Sequence, residues 1–470
     1  MLLLIAALAH AELPAPCGTA ALHHQRERPG RVAYPTPPPD HKPTRDAISQ
    51  TWPHMLETEN FAIKWGNQGD ISQADAQVLA DAFETAWALE IDDMGFPEPV
   101  GASEYRFNVY IGDTDLLIPS ANGNAGYFWY DEEGWPMVVM GADTSRRRGS
   151  AEVTAAHEFL HALQASVNTY QYDGAGDWWF EATASWVEEE AFPENSESAG
   201  LFFGFAFLPE VPVNYFSYPS SGAVDEFHQY GAFVFPRYIG DTYGRQIIVD
   251  SWLRADFDTR PLNELNRLLD DDISDVFFAF ADTNATWDYD KGEHYKESLE
   301  IYDYLDNHRP SGRLDIDGGW VEPVDFWPET YGANYWEIEP TDLPARFDIS
   351  GDSGPTWHAS IVTRTGDSRE IYDLDASSGF GLADVSGLDT VDEAWMVIAA
   401  ADTTDRDAGW SYPYEVRMRE QPEGIGVCGC SSGSSGGPWL LIAALLLSRR
   451  RASQPLRQQS RSAPYRRPHA

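Results

Sequence analysis

Ala155-Ala156-His157-Glu158-Phe159-Leu160-His161-Ala162-Leu163-Gln164 is the stretch on which the reading of this chain turns. Its spacing predicts a helix from about Ala151 to Val167. His157 and His161 are four residues apart, so on a helix they stack on one face, close enough to share one tetrahedral ion. Glu158 lies about 100° round the helix from His157. It can then reach a water beside the ion without ligating the ion. Ala156, Phe159, Leu160 and Leu163 face elsewhere and anchor the helix in a core.

Twenty residues beyond His161, Trp178-Trp179-Phe180-Glu181-Ala182-Thr183-Ala184-Ser185-Trp186 sets a carboxylate in an apolar run, inside a second helix predicted from about Asp177 to Glu190. A carboxylate among tryptophans needs an ion or a partner. Two His and one Glu, with a fourth position open, form the ligand set of catalytic zinc, and His-Glu-x-x-His is the zinc-hydrolase motif. Zn2+ is therefore the expected cofactor, held by His157, His161 and Glu181, with Glu158 as general base. Ca2+ is a weaker candidate at Asp270-Asp271-Asp272 and Asp315-Ile316-Asp317-Gly318, neither of which offers a complete loop of oxygen ligands.

In its ligand spacing the chain resembles the gluzincin, thermolysin-like clan of zinc metallopeptidases, over roughly residues 51–310. It is similar to myxobacterial metallopeptidases that often carry a sorting tail. The resemblance implies an α+β fold: a strand-rich N-terminal lobe, the metal-bearing helix in the middle and a helical C-terminal lobe. It implies a Tyr or His from the last lobe as oxyanion donor, for which Tyr230 is the first candidate and His228 the weaker one. Tyr230 also lies on an apolar stripe and reads equally as core; His228 reads equally as a surface histidine. The clan's pattern places an Asp four residues after the third ligand to orient the first His; here that position is Ser185.

Around the motif, organised sequence begins near Thr51. Phe61, Ile63 and Trp65 alternate as a strand, Ser72 can cap a helix from about Gln73 to Ile91, and Tyr105 to Ile111 alternates again. Tyr127–Tyr130 and Met137–Met140 read as a hairpin, and Trp135 to Gly141 as a candidate edge strand for substrate. Helices are predicted over Val224–Ile239, with Gly240 as its stop, and over Gln246–Leu253 and Leu262–Ala281. From 313 to 420, short alternating runs separated by Gly, Asp, Ser and Thr turns predict a small antiparallel β-sandwich.

The net charge of −43 over 470 residues excludes generic nucleic-acid binding. Only Cys17, Cys428 and Cys430 occur, so the middle of the chain has neither disulfides nor cysteine metal ligands. Residues 1–11 read as a signal peptide ending in Ala9-His10-Ala11, and 12–50, rich in Pro, His and Arg, as a linker or pro-segment. Residues 421–470 hold Cys428 and Cys430, an apolar run and Arg449-Arg450-Arg451, an order that resembles the MYXO-CTERM sorting tail. That resemblance implies a sorting machinery as partner, membrane contact through the tail before processing, and a mature protein that is extracellular or on the cell surface.

The expected function is thus a secreted or surface-attached zinc peptidase acting on peptide or protein substrates. One alternative is a zinc-binding but proteolytically inert surface protein whose sandwich binds a partner or glycan. A second is an aminopeptidase, against which stands the lack of a Gly-x-Met-Glu-Asn signature.

Overall fold

Helix and strand segregate along the chain, as the periodicities predict. The computed structural model describes residues 15–25, 29–33, 42–45, 52–115, 118–167, 169–170, 175–218, 223–300, 310–402 and 409–421. The signal peptide and nearly all of the tail, including Cys428, Cys430 and Arg449 to Arg451, lie outside these residues.

The first lobe is a five-stranded sheet in the order β1-β2-β3-β5-β4, from β1 (His54–Glu57), β2 (Phe61–Trp65), β3 (Phe107–Ile111), β4 (Gly126–Tyr130) and β5 (Pro136–Met140). β2, β3 and β5 run parallel, whereas β4 turns back antiparallel to β5, as the predicted hairpin requires. The candidate substrate strand is corrected here: β5 is interior, and the edge is β4. Ser72 caps α2 (Gln73–Trp87) in a capping box with Asp75. The predicted continuation to Ile91 becomes a π-helical turn, Ala88–Asp93.

α4 (Arg148–Val167) crosses this sheet, and α5 (Asp177–Ala191) packs against it. Before them come α1 (Thr19–Gln25) and the short α3 (Ala142–Arg146). Phe159 pins α4 to the sheet, its ring within 5.1–6.4 Å of Phe61, Phe83, Trp87 and Phe107. Such a buried aromatic is worth about 3–5 kcal/mol against truncation.

Two predicted helices break where the chain has a physical reason to. Val224–Ile239 resolves into a 3-10 turn (Val224–Phe227), one α turn holding Tyr230 (His228–Gly231) and α8 (Val234–Tyr243), with α6 (Phe203–Ala206) and α7 (His228–Gly231) preceding it. Pro236 lies in the first turn of α8, where its missing N–H costs nothing. That helix passes Gly240 and stops at Gly244, at φ 95°. Leu262–Ala281 splits into α10 (Pro261–Leu268) and α11 (Ile273–Asn284), after α9 (Gln246–Leu253). Asp272 caps α11 by accepting from the Ser274 N–H, and Asp271 accepts from the Tyr243 hydroxyl. That acidic run therefore serves as a helix break and cap, while Asp315 closes a turn with Asp317 and Gly318.

After α12 (Gly292–Glu300), strands β6 (Gly312–Leu314) to β13 (Tyr414–Glu420) form a five-stranded sheet, β10-β9-β12-β7-β6, facing a three-stranded one, β11-β8-β13. These are β7 (Gly332–Ile338), β8 (Ala345–Gly351), β9 (Thr356–Thr365), β10 (Ser368–Asp373), β11 (Phe380–Val385) and β12 (Glu393–Ala401). The expectation of a purely antiparallel sandwich fails at one ladder, because β6 runs parallel to β7. Alternation sorts the faces: Trp336, Ile338, Met396 and Ile398 fill the space between the sheets. Tyr335, Val397 and Ala399 join the core of the helical lobe.

Candidate metal centre

α4 and α5 bring the predicted ligands to one point. His157 Nε2 lies 3.2 Å and His161 Nε2 3.5 Å from the same oxygen, Glu181 Oε2. Tetrahedral zinc at ordinary His and carboxylate bond lengths sets its donors about 3.3–3.6 Å apart, close to these spacings. All three residues are buried, Glu181 and His161 almost completely.

Hydrogen bonds outside the cluster fix both imidazoles. The Gln164 amide donates to Phe180 O at 3.2 Å and to Thr183 Oγ1 at 3.0 Å. Its oxygen is left to accept, and it meets His161 Nδ1 at 2.7 Å. His161 therefore carries its proton on Nδ1 and presents the Nε2 lone pair to the cluster. His157 Nδ1 donates in the same way to Glu188 Oε1 at 2.8 Å. The expected partner Ser185 is thus corrected to Glu188, one helical turn further along α5 and on the same face. Ser185 is buried nearby.

The field of the site demands positive charge. Burial opposes a charge on His161, but Cys17 and Glu181 outweigh it and hold its pKa up to about 10. Burial likewise opposes the Glu181 anion, yet His161 and His157 bring it down to about 2. Burial raises Glu188 to about 7. Protons on the histidines or one divalent cation satisfy the same field.

Glu158 is fully buried beside this cluster, and its Oε1 has no hydrogen-bond partner. Gly126 at the start of β4 makes room for it: a Cβ there would lie 2.9 Å from Glu158 Cγ and 3.2 Å from Oε1. Tyr230 is buried with its ring 6.1 Å from that of His157. Its hydroxyl donates to Cys17 O at 3.3 Å. His228, read as exposed, is instead completely buried. Its ring sits 5.5 Å from Phe205 and 5.7 Å from Tyr215, and burial pushes its pKa down to about 3. The surface reading of His228 is thus corrected: it is a neutral imidazole packed in an aromatic pocket.

Sequence reasoning missed two participants. Glu90, on the π-helical turn, is completely buried with both oxygens unpartnered. Burial raises its pKa well above the ordinary range even though His161 and His157 act against the rise. The irregular turn is its only sequence-local signature, and nothing in the residues announces it. The other is Cys17: its Sγ lies 3.5 Å from His161 Nε2. Cys17, His157, His161 and Glu181 offer ligand atoms all within 4.8 Å of one another, the one such cluster among the described residues.

No helix among the described residues is long and apolar enough to cross a membrane. No curated protein matches the chain. A family model covers residues 31–349, spanning the first sheet, the α4–α5 pair and the start of the sandwich, and by that match the chain belongs to the family described as "Family of unknown function (DUF6055)".

Proposed function

We propose that this chain is a zinc-dependent peptidase of gluzincin type, secreted or surface-attached, that hydrolyses peptide bonds in extended peptide or protein substrates. The observation that carries the reading is the convergence of two histidine lone pairs on one Glu181 oxygen, with the buried Glu158 carboxylate, its Oε1 without a partner, beside them. A zinc ion held by His157, His161 and Glu181 would activate water at neutral pH and polarise a carbonyl.

The residues supply the rest. Glu158 is positioned to take the proton of the attacking water and return it to the leaving amine. The Tyr230 hydroxyl already donates to a backbone carbonyl at the cluster, which is what stabilising a developing oxyanion requires. Edge strand β4 can add an extended peptide through the ladder groups on its outer side. Gln164 and Glu188 hold the imidazoles so that little reorganises during the reaction.

A second reading draws on the same cluster. Four donors with no open position describe a structural zinc site, and an inert surface protein would need no more. Against it stands Glu158, a buried carboxylate that a structural centre does not need and whose Oε1 is left without a partner.

Metal analysis of the full chain tests the proposal. About one zinc per chain is expected in the wild type, with loss in Glu181→Ala. A well-folded wild type that takes up no zinc overturns it.

A further inference from the structure

Residues 15–25 do not trail away from the site; they fill it. Pro16 O accepts from the Ala125 N–H at 3.1 Å, and the Gly18 N–H donates to Gly126 O at 2.9 Å. From 16 to 19 the segment advances along the free edge of β4, using the backbone groups that an extended substrate would use. Thr19 Oγ1 accepts from the Phe128 N–H at 2.8 Å and donates its one proton to Glu158 Oε2 at 2.9 Å. The hydroxyl therefore sits where the base would hold its water. The Cys17 carbonyl takes the Tyr230 hydroxyl, and the Cys17 sulfur closes the ligand cluster. α1 then covers the cleft, with His23 edge-on to Trp129 at 5.0 Å and Leu22 buried.

Each functional group assigned above thus has a partner in one short segment: ligand set, base, oxyanion donor and substrate edge. Two carboxylate oxygens at the site, Glu181 Oε1 and Glu158 Oε1, remain buried without partners. The family match begins at residue 31, after this segment.

We propose that Cys17 is the fourth ligand of the metal and that residues 15–25 are a built-in occupant of the substrate cleft, so that the chain carrying this segment is a latent enzyme. This rests on the peptidase reading and deepens it. A thiolate completes the tetrahedron in place of water, its proton passing to solvent on binding. Latency ends when the thiolate leaves the metal and the segment leaves β4, which a hydrolytic cut in the chain between α1 and β1 would permit. The vacated groups of β4 then define the substrate as an extended peptide that passes its carbonyl under Tyr230.

The test is X-ray absorption at the zinc edge on the full chain, with hydrolysis of an unfolded protein measured in parallel. Wild type is expected to show one sulfur in the zinc shell. Cys17→Ser and Cys17→Ala are expected to keep zinc, lose the sulfur and gain hydrolysis by about tenfold or more, each tenfold reporting about 1.4 kcal/mol of lost segment affinity. Zinc bound with no sulfur overturns the inference and leaves the peptidase reading standing. Sulfur in the shell without any gain on Cys17 substitution overturns latency and makes the centre structural. A folded wild type without zinc sinks the peptidase reading itself and the inference with it. Thermal unfolding of both variants distinguishes a lost ligand from a lost fold.

Discussion

The α4–α5 helix pair and the N-terminal segment meet at one cluster, yet they are encoded in opposite ways. In the helix pair, three ligands and the base come from two helices whose spacing can be read residue by residue. In the segment, Cys17 reaches His161 across 144 residues of sequence. Its flanking prolines and histidines look like a linker. The helix pair teaches that a metal set can be local; the segment teaches that its occupant need not be. The same holds just downstream, where the described residues 29–33 and 42–45 pack on the first sheet. The Trp135 indole donates to Val32 O, the Val32 N–H donates to Glu133 O, and Arg45 is buried against Asp131.

The largest effect expected is on the helix-pair side. In a Cys17→Ser background, where the segment no longer closes the site, Glu158→Gln should lower hydrolysis by about 10²–10⁴-fold at unchanged zinc content. Steady-state kinetics with metal analysis measures both. Retained hydrolysis would remove Glu158 from the chemistry and break the comparison at its strongest point.

Gly126→Ala tests the seam where the two regions touch. The added Cβ meets Glu158 Cγ at 2.9 Å and Thr154 Cγ2 at 3.0 Å. Displacing the base by a fraction of an ångström should cost up to about 10²-fold in kcat, with zinc bound as before. Equal kcat would mean that α4 shifts freely over β4. Glu188→Gln sharpens the helix-pair side by removing the carboxylate that holds His157 Nδ1. Zinc affinity should fall about 10–100-fold, as read by competition with a chelator. The same change at Ser185, as Ser185→Ala, should have no comparable effect.

The parts legible in the sequence share a trait: each is decided within a few turns of chain. His157, His161 and Glu181 could be placed together because helical periodicity and burial fix their direction. The Tyr127–Met140 hairpin and the Ser72 cap are likewise local. What escaped was decided by packing across the chain. β5 looked like an edge because only the sheet order shows that β4 lies outside it. Glu188 stands where an orienting acid was sought at Ser185, because two positions on one face of a helix can reach the same ring. His228 looked like surface because its neighbours Phe205 and Tyr215 come from other segments. Pro236 announced a break but not its side, since proline suits a helix's first turn as well as its interruption.

The smallest effect expected lies where the sandwich meets the helical lobe, far in sequence from both regions. His358 on β9 sits with Nε2 2.9 Å from Asp282 Oδ1 on α11, an oxygen that Ser360 Oγ also reaches at 2.5 Å. The ring stacks on Phe278 at 5.2 Å. Burial works against its charge, but Asp282, and then Asp373 on β10 and Asp275 on α11, raise its pKa above the ordinary 6.5. A folded pKa above the unfolded one means that the imidazolium stabilises the docked state below about pH 6.5 and that this contribution fades as pH rises through the folded value. Wild type should therefore exceed His358→Gln in stability by about 1–2 kcal/mol in mild acid, as a charge-assisted hydrogen bond does, and the gap should close in mild alkali. Thermal melts of both proteins across that range read the gap directly. A gap that widens with pH would show that His358 docks as the neutral ring, held by Phe278 and not by Asp282.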